Sequence, residues 1–453
     1  MIKNTALLFA ALLLSSCSLV PGYLRPDITP APQWRDNAGA ADSIDREWWK
    51  NFHDAKLEFY ITQALAQNNN LAGAIARVEQ ARAQSRIAAS SLWPQASASG
   101  DVARDRVHGG GVTTIDNSYR IGASVSYELD LFGRNRAALE AADAREDALR
   151  YDRDAIALIV ASDVVSSYSE LLTLTDRKRV ASEQLGNARE ILQISEARFR
   201  EGAADAIEVA QQRTALGNIE ASLADLERQR LAAANRLAIL TGEQPQNFAI
   251  PTGSIDNLQV PAIKPLQPAL LLTRRPDIAL TEANLIAANA DIGAARAAYF
   301  PTFSLGADAS LLGDPVTKAA GIAASFAAPI FQGGRIAGGV ELAEARKAEL
   351  LTAYRQSILV AFQESEDALA AIQSSAARAE SLGTSAEQAR IAYRLSRERF
   401  DAGQIDFLTL LSTQSSLLQS EDSALRARLD KFQAAVQLYK AMGGGWSEKA
   451  DSN

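Results

Sequence analysis

An internal duplication constrains this chain more than any single residue does. From Arg274 to Ser310 a helical pattern runs into Phe300-Pro301 and then into strand-like alternation, and the same order occurs around Trp93-Pro94 at an offset of 207 (300 − 93). At this offset small residues coincide, for example Ala88 with Ala295 and Ser97 with Ser304. The chain is therefore predicted to contain two copies of one helix-to-strand unit.

Composition favours long helices and argues against several kinds of ligand site. Aromatic residues make up 6% of the 453 residues and charged residues 22%, with a net charge of −8. No basic face of the kind that neutralises phosphates stands out, so no nucleic-acid partner is expected. His53 and His108 are isolated and only two methionines occur, so no metal site is expected either.

The N-terminus has the pattern of an export signal. Residues 1–16 combine Lys3 with an apolar run from Thr5 to Leu14, which is shorter than the roughly 20 residues that cross a bilayer. The run ends in LSSC, which resembles the lipobox of bacterial lipoproteins, where the thiol of a cysteine such as Cys17 accepts a diacylglyceryl group. Cys17 is the only cysteine, and a buried free thiol is the alternative. Lipidation is favoured, and Ser18 resembles the residue found in lipoproteins sent to the outer membrane.

The rest of the chain divides into segments by proline content and periodicity. Residues 17–55 are proline-rich and typical of an extended tether. A helical pattern follows, with an interruption expected at 68–70, and Pro94 ends it. We predict a first repeat over 56–241, a proline-rich inter-repeat segment over 242–274, a second repeat over 275–442 and a C-terminal tail over 443–453.

Four segments alternate with period two, as strands between lipid and water do. In 118–130, Tyr119, Ile121 and Val125 fall on one face, with Gly122 and Ser124 on the other. Their lengths suit tilted membrane strands of about 9 to 11 residues. Ordinary soluble hairpins are the alternative for each pair alone. The other three segments are 95–106, 302–312 and 318–330, so strands fill 95–130 and 302–330, with exposed loops expected at 107–117 and 313–317.

One aromatic residue lies at each junction between a helix and a strand. These residues are Trp93, Phe132, Phe300 and Phe331. Aromatic rings collect at a bilayer interface because they join an apolar body to a polar or polarisable part. Core packing also uses such rings, so both interpretations stay open.

Four strands cannot close a barrel in a membrane, because an open sheet edge leaves backbone donors without partners. Copies of the chain must therefore join. Two copies would give eight strands and an interior filled by side chains, whereas three would give twelve strands and a wider lumen. Three is predicted, because small residues such as Gly122, Ser124 and Gly306 occupy the polar faces.

Two proline-free stretches, 133–200 and 335–400, are predicted to be helices of about 100 Å at roughly 1.5 Å per residue. Helices over 205–241 and 406–442 return from them. We expect no apolar run in these helices long enough to enter lipid, so they would project into the periplasm. In the last helix an apolar residue recurs every seven positions, which indicates a coiled-coil seam. This stripe is Leu411, Leu418, Leu425, Phe432 and Tyr439.

The two turns between long and return helices share the pattern Phe-x-x-Gly-x-x-Asp. Gly202 and Gly403 can end the long helices in a left-handed conformation, and Asp205 and Asp406 can cap the helices that follow. A stable helical hairpin explains the pattern without any function. The alternative is that both tips form the far end of a tube, where a partner docks.

Several features together resemble the TolC-like outer-membrane efflux proteins, in particular their lipoprotein branch. These features are the duplication, the RRPDI stretch at 274–278, the WP and FP strand starts, the helix tips and the lipobox. The resemblance covers nearly the whole chain after Cys17. It implies a mixed α and β membrane protein, a trimeric channel-tunnel with a shared 12-stranded β-barrel, a periplasmic helical barrel and a mixed equatorial domain. It also implies a palmitate-bearing homotrimer in the bacterial outer membrane that meets a periplasmic adaptor and an inner-membrane pump of the resistance-nodulation-division (RND) type.

The function implied by this resemblance is passive conduction of small amphiphilic compounds, such as drugs, dyes, detergents and solvents, out of the periplasm. The alternatives are an exit channel for type I protein secretion and a non-conducting structural lipoprotein of the envelope. The sequence has no nucleophile elbow, phosphate-binding glycine loop or paired carboxylates in a shared pocket. Neither an enzyme nor a cofactor is therefore expected.

The resemblance also places a periplasmic gate on the helix after the second tip. Counted from that tip, Leu408 resembles a constricting leucine, while Thr409 and Ser412 fall where carboxylates are common in the family. Its locking arginine would fall near Ile405 or Ser415. Because this chain has no charge at these positions, a hydrophobic closure at Leu408 is predicted. The alternative is that Leu408 lines a helix seam.

Overall fold

In the computed structural model, the order helix, hairpin, long helix and return helix occurs twice. The structure describes residues 19–35, 41, 43–313 and 316–447, so the predicted export signal and Cys17 lie outside the described residues. The first copy comprises α1 (Ala55–Gln67), α2 (Asn69–Ser90), β1 (Gln95–Gly109), β2 (Val112–Leu129), α3 (Arg134–Arg200) and α4 (Ala206–Leu240). The second comprises α5 (Pro268–Arg274), α6 (Pro276–Ala297), β3 (Thr302–Leu312), β4 (Thr317–Ala327), α7 (Arg335–Asp401) and α8 (Phe407–Ala441).

The described residues form two compact units. The first unit contains the chain up to Ile28 together with Ile75–Tyr151 and Asp277–Ser357. The second unit contains Thr29–Ala74, Asp152–Pro276 and the chain from Ile358. Each unit takes residues from both repeats, so neither repeat forms a unit alone.

The expected interruption of the first helix at 68–70 is confirmed. Asn68 has extended backbone angles, its side-chain oxygen accepts from the amides of Asn70 and Leu71 at 2.9 and 3.2 Å, and its side-chain nitrogen donates to the carbonyl of Leu240 at 2.9 Å. One buried asparagine therefore ends α1, caps α2 and satisfies the last turn of α4.

The sheet is antiparallel throughout, in the order β1-β2-β3-β4. The first hairpin is longer than predicted, because only Gly110 and Gly111 connect its strands, and the loop expected at 107–117 is wrong. Both glycines have positive φ, 60° and 81°, which a two-residue hairpin turn requires. The polar residues before and after them stay in the ladder because water can solvate both faces of an exposed hairpin.

The second hairpin is closer to the prediction. β3 has the predicted bounds, whereas β4 ends at Ala327 rather than at Ile330. Pro329 accounts for the difference, because it has no amide hydrogen to donate to the ladder.

The core of the second unit is aromatic. The rings of Trp48 and Tyr439 stack at 4.8 Å, and those of Phe52 and Phe432 lie 6.0 Å apart. The proline-rich segment after α4 contributes buried apolar side chains to this core, among them Ile255. Asp176 on α3 holds that segment by accepting from the Ser254 hydroxyl and the Ile255 amide, at 2.8 and 2.9 Å.

The RRPDI stretch contains the break between α5 and α6. Arg275 precedes a proline and is extended, with φ −113° and ψ 122°, as steric conflict with the proline ring requires. Its side chain is buried and donates to the carbonyl of Ala441 at 3.0 Å and to Glu364 at 2.6 Å. The arginine therefore satisfies the C-terminal end of α8.

The expectation that the long helices have no apolar run long enough to enter lipid is wrong for α3. One window of 18 residues in this helix has the length and composition to cross a membrane, and 56% of it is buried inside the protein. Burial of this kind is typical of the core helix of a bundle, and α3 contributes buried residues between Val160 and Ala181 to the aromatic core of the second unit.

The tether packs along α6. Asn289 donates to the carbonyl of Pro21 at 2.7 Å, and Tyr23 and Arg25 both donate to Glu282. Val20 lies so close to Gly293 that a Cβ atom there would meet its Cγ2 at 2.5 Å. The segment from Val20 to Arg25 is therefore fixed to the helix that leads into β3.

We predict that Gly293→Ala will detach this segment. The added methyl group would also lie 2.8 Å from the backbone of Val20, so the tether must move away. Limited chymotrypsin digestion should cut after Tyr23 about tenfold faster than in the wild type. Gly186→Ala is the control, because a Cβ at that glycine meets nothing within 4 Å. Equal cleavage rates in both variants would contradict the prediction.

Candidate membrane sheet and helix-tip gate

One face of the sheet is apolar across all four strands. Direct cross-strand partners place Val102 opposite Tyr119, Ile121 opposite Leu311, and Ala307 opposite Ile322. Several of these side chains are exposed, Val102 at 88% and Ile322 at 91%. A contiguous exposed apolar face needs a covering phase, and its length on β2 matches the roughly 9 to 11 residues of a tilted membrane strand.

The opposite face is polar and built from small residues. Ser97 and Ser124 lie opposite each other with their hydroxyls 2.9 Å apart, and Asp308 lies opposite Ser124 on the next strand. Asp101 lies opposite Arg120 near the far end. Such a face can line a water-filled lumen, because short side chains leave space and offer hydrogen bonds.

The sheet has two open edges in the part of the chain that the structure describes. β1 pairs only with β2, and β4 only with β3. In water such edges invite pairing with another chain, and in lipid every unpaired backbone group costs several kcal/mol, about 2–7 by transfer data. The single chain therefore has too few strands to complete a barrel.

The four junction aromatics separate into two pairs. Trp93 and Phe331 are 70% and 88% exposed, whereas Phe132 and Phe300 stack on each other with ring centroids 4.6 Å apart. The second pair has the packing role that the sequence left open, and the first pair projects from the surface. Phe132 and Phe300 join the two hairpins, and Phe300 is still 38% exposed beside its partner. An interfacial role therefore stays a prediction for all four residues.

Both helix tips have the backbone geometry that was predicted. Gly202 and Gly403 have φ of 71° and 70°. Asp205 accepts from two amides of the first turn of α4, and Asp406 accepts from the amide of Thr409 at 2.7 Å. A left-handed glycine followed by an aspartate cap closes each hairpin within a few residues, which explains why the pattern occurs twice.

We predict that Asp406→Ala will fray the first turn of α8. Hydrogen bonds from the side chain and backbone of Thr409 lower the pKa of Asp406 below its usual 3.8, so the cap is complete at neutral pH and is lost as pH falls through this lowered value. Hydrogen exchange at residues 407–410 should be about fivefold faster in the variant at pH 7. Gln404→Ala, an exposed change in the same turn, should leave it unchanged. Protection that persists in Asp406→Ala would contradict the capping role.

The predicted gate residues lie on the exposed side of α8. Phe407 and Leu410 are buried in a small cluster with Ile191 and Phe400, and Ile405 packs against it. In contrast, Leu408 is 58% exposed, and Thr409 and Ser412 are also exposed. Within the chain Leu408 therefore lines no helix seam, and the alternative interpretation fails for the single copy.

The predicted seven-residue stripe is only partly correct. Phe432 and Tyr439 are buried, but toward the tip the buried positions are Leu410 and Leu417, and Leu411 and Leu418 are only partly covered. A straight α-helix has 3.6 residues per turn and drifts by about 20° per heptad relative to a strict repeat. The buried stripe therefore moves by one residue along α8.

A set of charged contacts joins α3 to the helical hairpin formed by α7 and α8. The sequence did not predict these contacts. Arg177 donates to Asp422 at 2.5 Å, Arg397 pairs with Glu190 at 2.8 Å, and the guanidinium of Arg198 lies 5.0 Å from the ring centre of Phe400. Each contact joins two helices that are far apart in the chain, so no local pattern in the sequence predicts it. They hold the two helical hairpins of one chain together at several levels between Arg177 and Arg198 of α3.

A cavity of about 770 Å³ lies between α3, α4 and α8. Its walls combine apolar residues such as Ile219, uncharged polar residues such as Asn218 and Gln414, and the charged residues Arg177, Asp422 and Arg426. Gln414 is 3% exposed, and neither of its amide atoms has a hydrogen-bond partner. Among the residues that the structure describes, no group of three or more His, Cys, Asp or Glu side chains could hold a metal ion.

The fold defines a class of outer-membrane protein in which strands from several copies meet in one barrel. The defining features are a sheet with one apolar face, one polar face and two open edges, and two long helical hairpins. The chain matches the model of the outer membrane efflux protein family over residues 60–243 and 268–444, and it belongs to that family. The members of this family are channel proteins and not enzymes.

Two relatives and one solved structure illustrate the similarity. The chain is 37% identical to the pyoverdine export outer membrane protein OpmQ of Pseudomonas aeruginosa, with 98% of this chain and 97% of the relative covered. It is 33% identical to the solvent efflux pump outer membrane protein SrpC of Pseudomonas putida, over 97% and 98%. The Campylobacter jejuni CmeC outer membrane channel has the same fold, with a TM-score of 0.88, 26% identity and 96% of each chain covered.

Proposed function

We propose that this protein is the outer-membrane exit duct of a tripartite efflux system, through which small amphiphilic compounds leave the periplasm passively. The observation that carries the proposal is the four-stranded sheet with one apolar face, one polar face and two open edges. Such a sheet is incomplete in one chain, and three copies would close a twelve-stranded barrel with a lumen wide enough for small molecules.

The substrate class rests on the names of the relatives. Pyoverdine, toluene and solvent export are named among proteins 31–37% identical to this chain. The small uncharged residues on the polar sheet face suit compounds that have both polar and apolar parts. Type I protein secretion and a purely structural role have no comparable support among these relatives.

The partners of the proposed duct are a periplasmic adaptor and an inner-membrane pump of the RND type. The chain carries no nucleotide-binding motif, so energy for transport must come from another protein. We propose that the adaptor meets the helix tips around Gly202, Asp205, Gly403 and Asp406, because these capped turns are the rigid ends of the two long hairpins.

Cys17 is the proposed site of lipid attachment to the outer membrane. It lies only three residues before Val20, where the tether begins to pack on α6. Replacing Cys17 by serine should abolish incorporation of labelled palmitate and leave the protein in the outer membrane, because the barrel alone holds it there. Palmitate incorporation into the variant would rule out this site.

Deletion of the gene tests the function as a whole. The deletion strain should become at least several-fold more susceptible to dyes, detergents and hydrophobic antibiotics, and the wild-type gene should restore resistance. Secreted proteins in the medium are measured in parallel. Unchanged susceptibility combined with loss of a secreted protein would favour the type I secretion alternative.

A further inference from the structure

Two arginines lie on the membrane-facing side of the first hairpin, just beyond its apolar band. The hairpin β1-β2 continues past the turn of the second hairpin, since Arg120 is already opposite Leu312, the last residue of β3. On the apolar face, Val102 is followed by Arg104 and Arg106. At about 3.4 Å per residue, Arg104 and Arg106 lie roughly 7 and 14 Å beyond Val102 along the strand. Because the strand is tilted, their height above the apolar band is smaller than these distances.

Charge is segregated between the two faces of this extension. Arg104 lies opposite Asn117 and Arg106 opposite Ile115, so no acid is their direct partner. All the acidic residues of the extension, Asp101, Asp105 and Asp116, belong to the other face by the alternation of the strands. The outward face is thus positive, and the inward face carries the acids.

Neither arginine has an ion-pair partner among the described residues, and both are exposed. Lys318 occupies the same outward face at the loop end of β4, opposite Leu311. Unpaired guanidinium groups directly above an apolar band are at the depth where a bilayer presents its headgroups.

We infer that Arg104 and Arg106, with Lys318, bind the phosphate groups of outer-leaflet lipid. The occupant follows from charge complementarity and from continuity with the apolar face that lipid covers, and guanidinium groups bind phosphate in a bidentate manner. This inference rests on the proposed function, because it requires the sheet to be a membrane barrel with its hairpin turns outward. The bound lipid would fix the height of the barrel in the membrane.

The test uses the full-length, detergent-solubilised protein titrated with purified diphosphorylated lipid A, with binding followed by native mass spectrometry. The variant Arg104→Gln/Arg106→Gln should bind about tenfold more weakly than the wild type, and adding Lys318→Gln should weaken binding further. Arg120→Gln is the matched control, because it removes an arginine of the same hairpin from the opposite face. It should bind as the wild type does.

Equal lipid A affinity in the double variant and the wild type would overturn the inference, and so would an equal loss in Arg120→Gln. Planar-bilayer recording of the same samples separates this outcome from failure of the proposed function. If the double variant conducts as the wild type does and also binds lipid A equally well, only the inference about the lipid site is contradicted. Absence of insertion and conductance even in Leu408→Asp, the variant expected to open the gate, would instead contradict the channel.

Discussion

Replacing Leu408 by aspartate is expected to raise the single-channel conductance of the purified protein in planar bilayers by about an order of magnitude. Leu408 is 58% exposed in the first turn of α8, directly after the second tip, and Thr409 and Ser412 beside it are uncharged. If three copies bring this leucine together around one axis, the apolar ring closes the opening by excluding water. A carboxylate at the same position would bring water into the constriction, and the carboxylates of the three copies would repel one another.

Leu408→Gly should have a similar but smaller effect, because it removes the apolar side chain without adding charge. Leu395→Asp serves as a control, since Leu395 is an exposed leucine of the same helical hairpin at 46%. The gate assignment would have to be abandoned if Leu408→Asp conducts no better than the wild type. It would also fail if the control opens the channel equally well.

A proline in β4 is expected to convert most of the detergent-solubilised protein from a trimer to a monomer. The amide hydrogens of neighbouring residues such as Ala323 and Ala324 point to opposite sides of the strand. One of the two variants, Ala323→Pro or Ala324→Pro, therefore removes a donor from the open edge, and the other removes one from the ladder with β3. A gap in either ladder would prevent closure of a shared barrel.

Mass measurement of the detergent complex by light scattering would determine the number of copies in each sample. Val316→Pro is the matched control, because Val316 precedes the first residue of β4 and takes no part in its ladder. A folded wild-type protein that is monomeric in detergent would contradict the shared barrel itself. Trimers that persist in both proline variants would show that β4 is not the joining edge.

The sequence could predict those features that depend on local backbone chemistry. Proline and glycine positions marked the ends of elements, the Gly-x-x-Asp tips adopted the expected left-handed and capped conformations, and period-two alternation identified all four strands. The internal duplication limited the architecture more strongly than composition did, and together with the RRPDI stretch, the strand starts, the tips and the lipobox it indicated the family.

Other features depended on residues that are far apart in the chain. The first hairpin extends to its Gly110-Gly111 turn because the residues on both sides of the turn pair with each other, whereas the glycines had indicated a loop over 107–117. Of the four junction aromatics, Phe132 and Phe300 stack on each other whereas Trp93 and Phe331 are exposed. This difference depends on which rings meet across the two hairpins.

By itself, the sequence determined the order, type and approximate bounds of the elements, because propensities, caps and turns act over a few residues. Only the tertiary structure decided which faces are covered. It showed that Leu408 projects from α8 while Leu410 is buried, and that Arg177 reaches Asp422 on another helix. Burial and ion pairing depend on the angles and distances at which distant helices pack, and no local pattern encodes these.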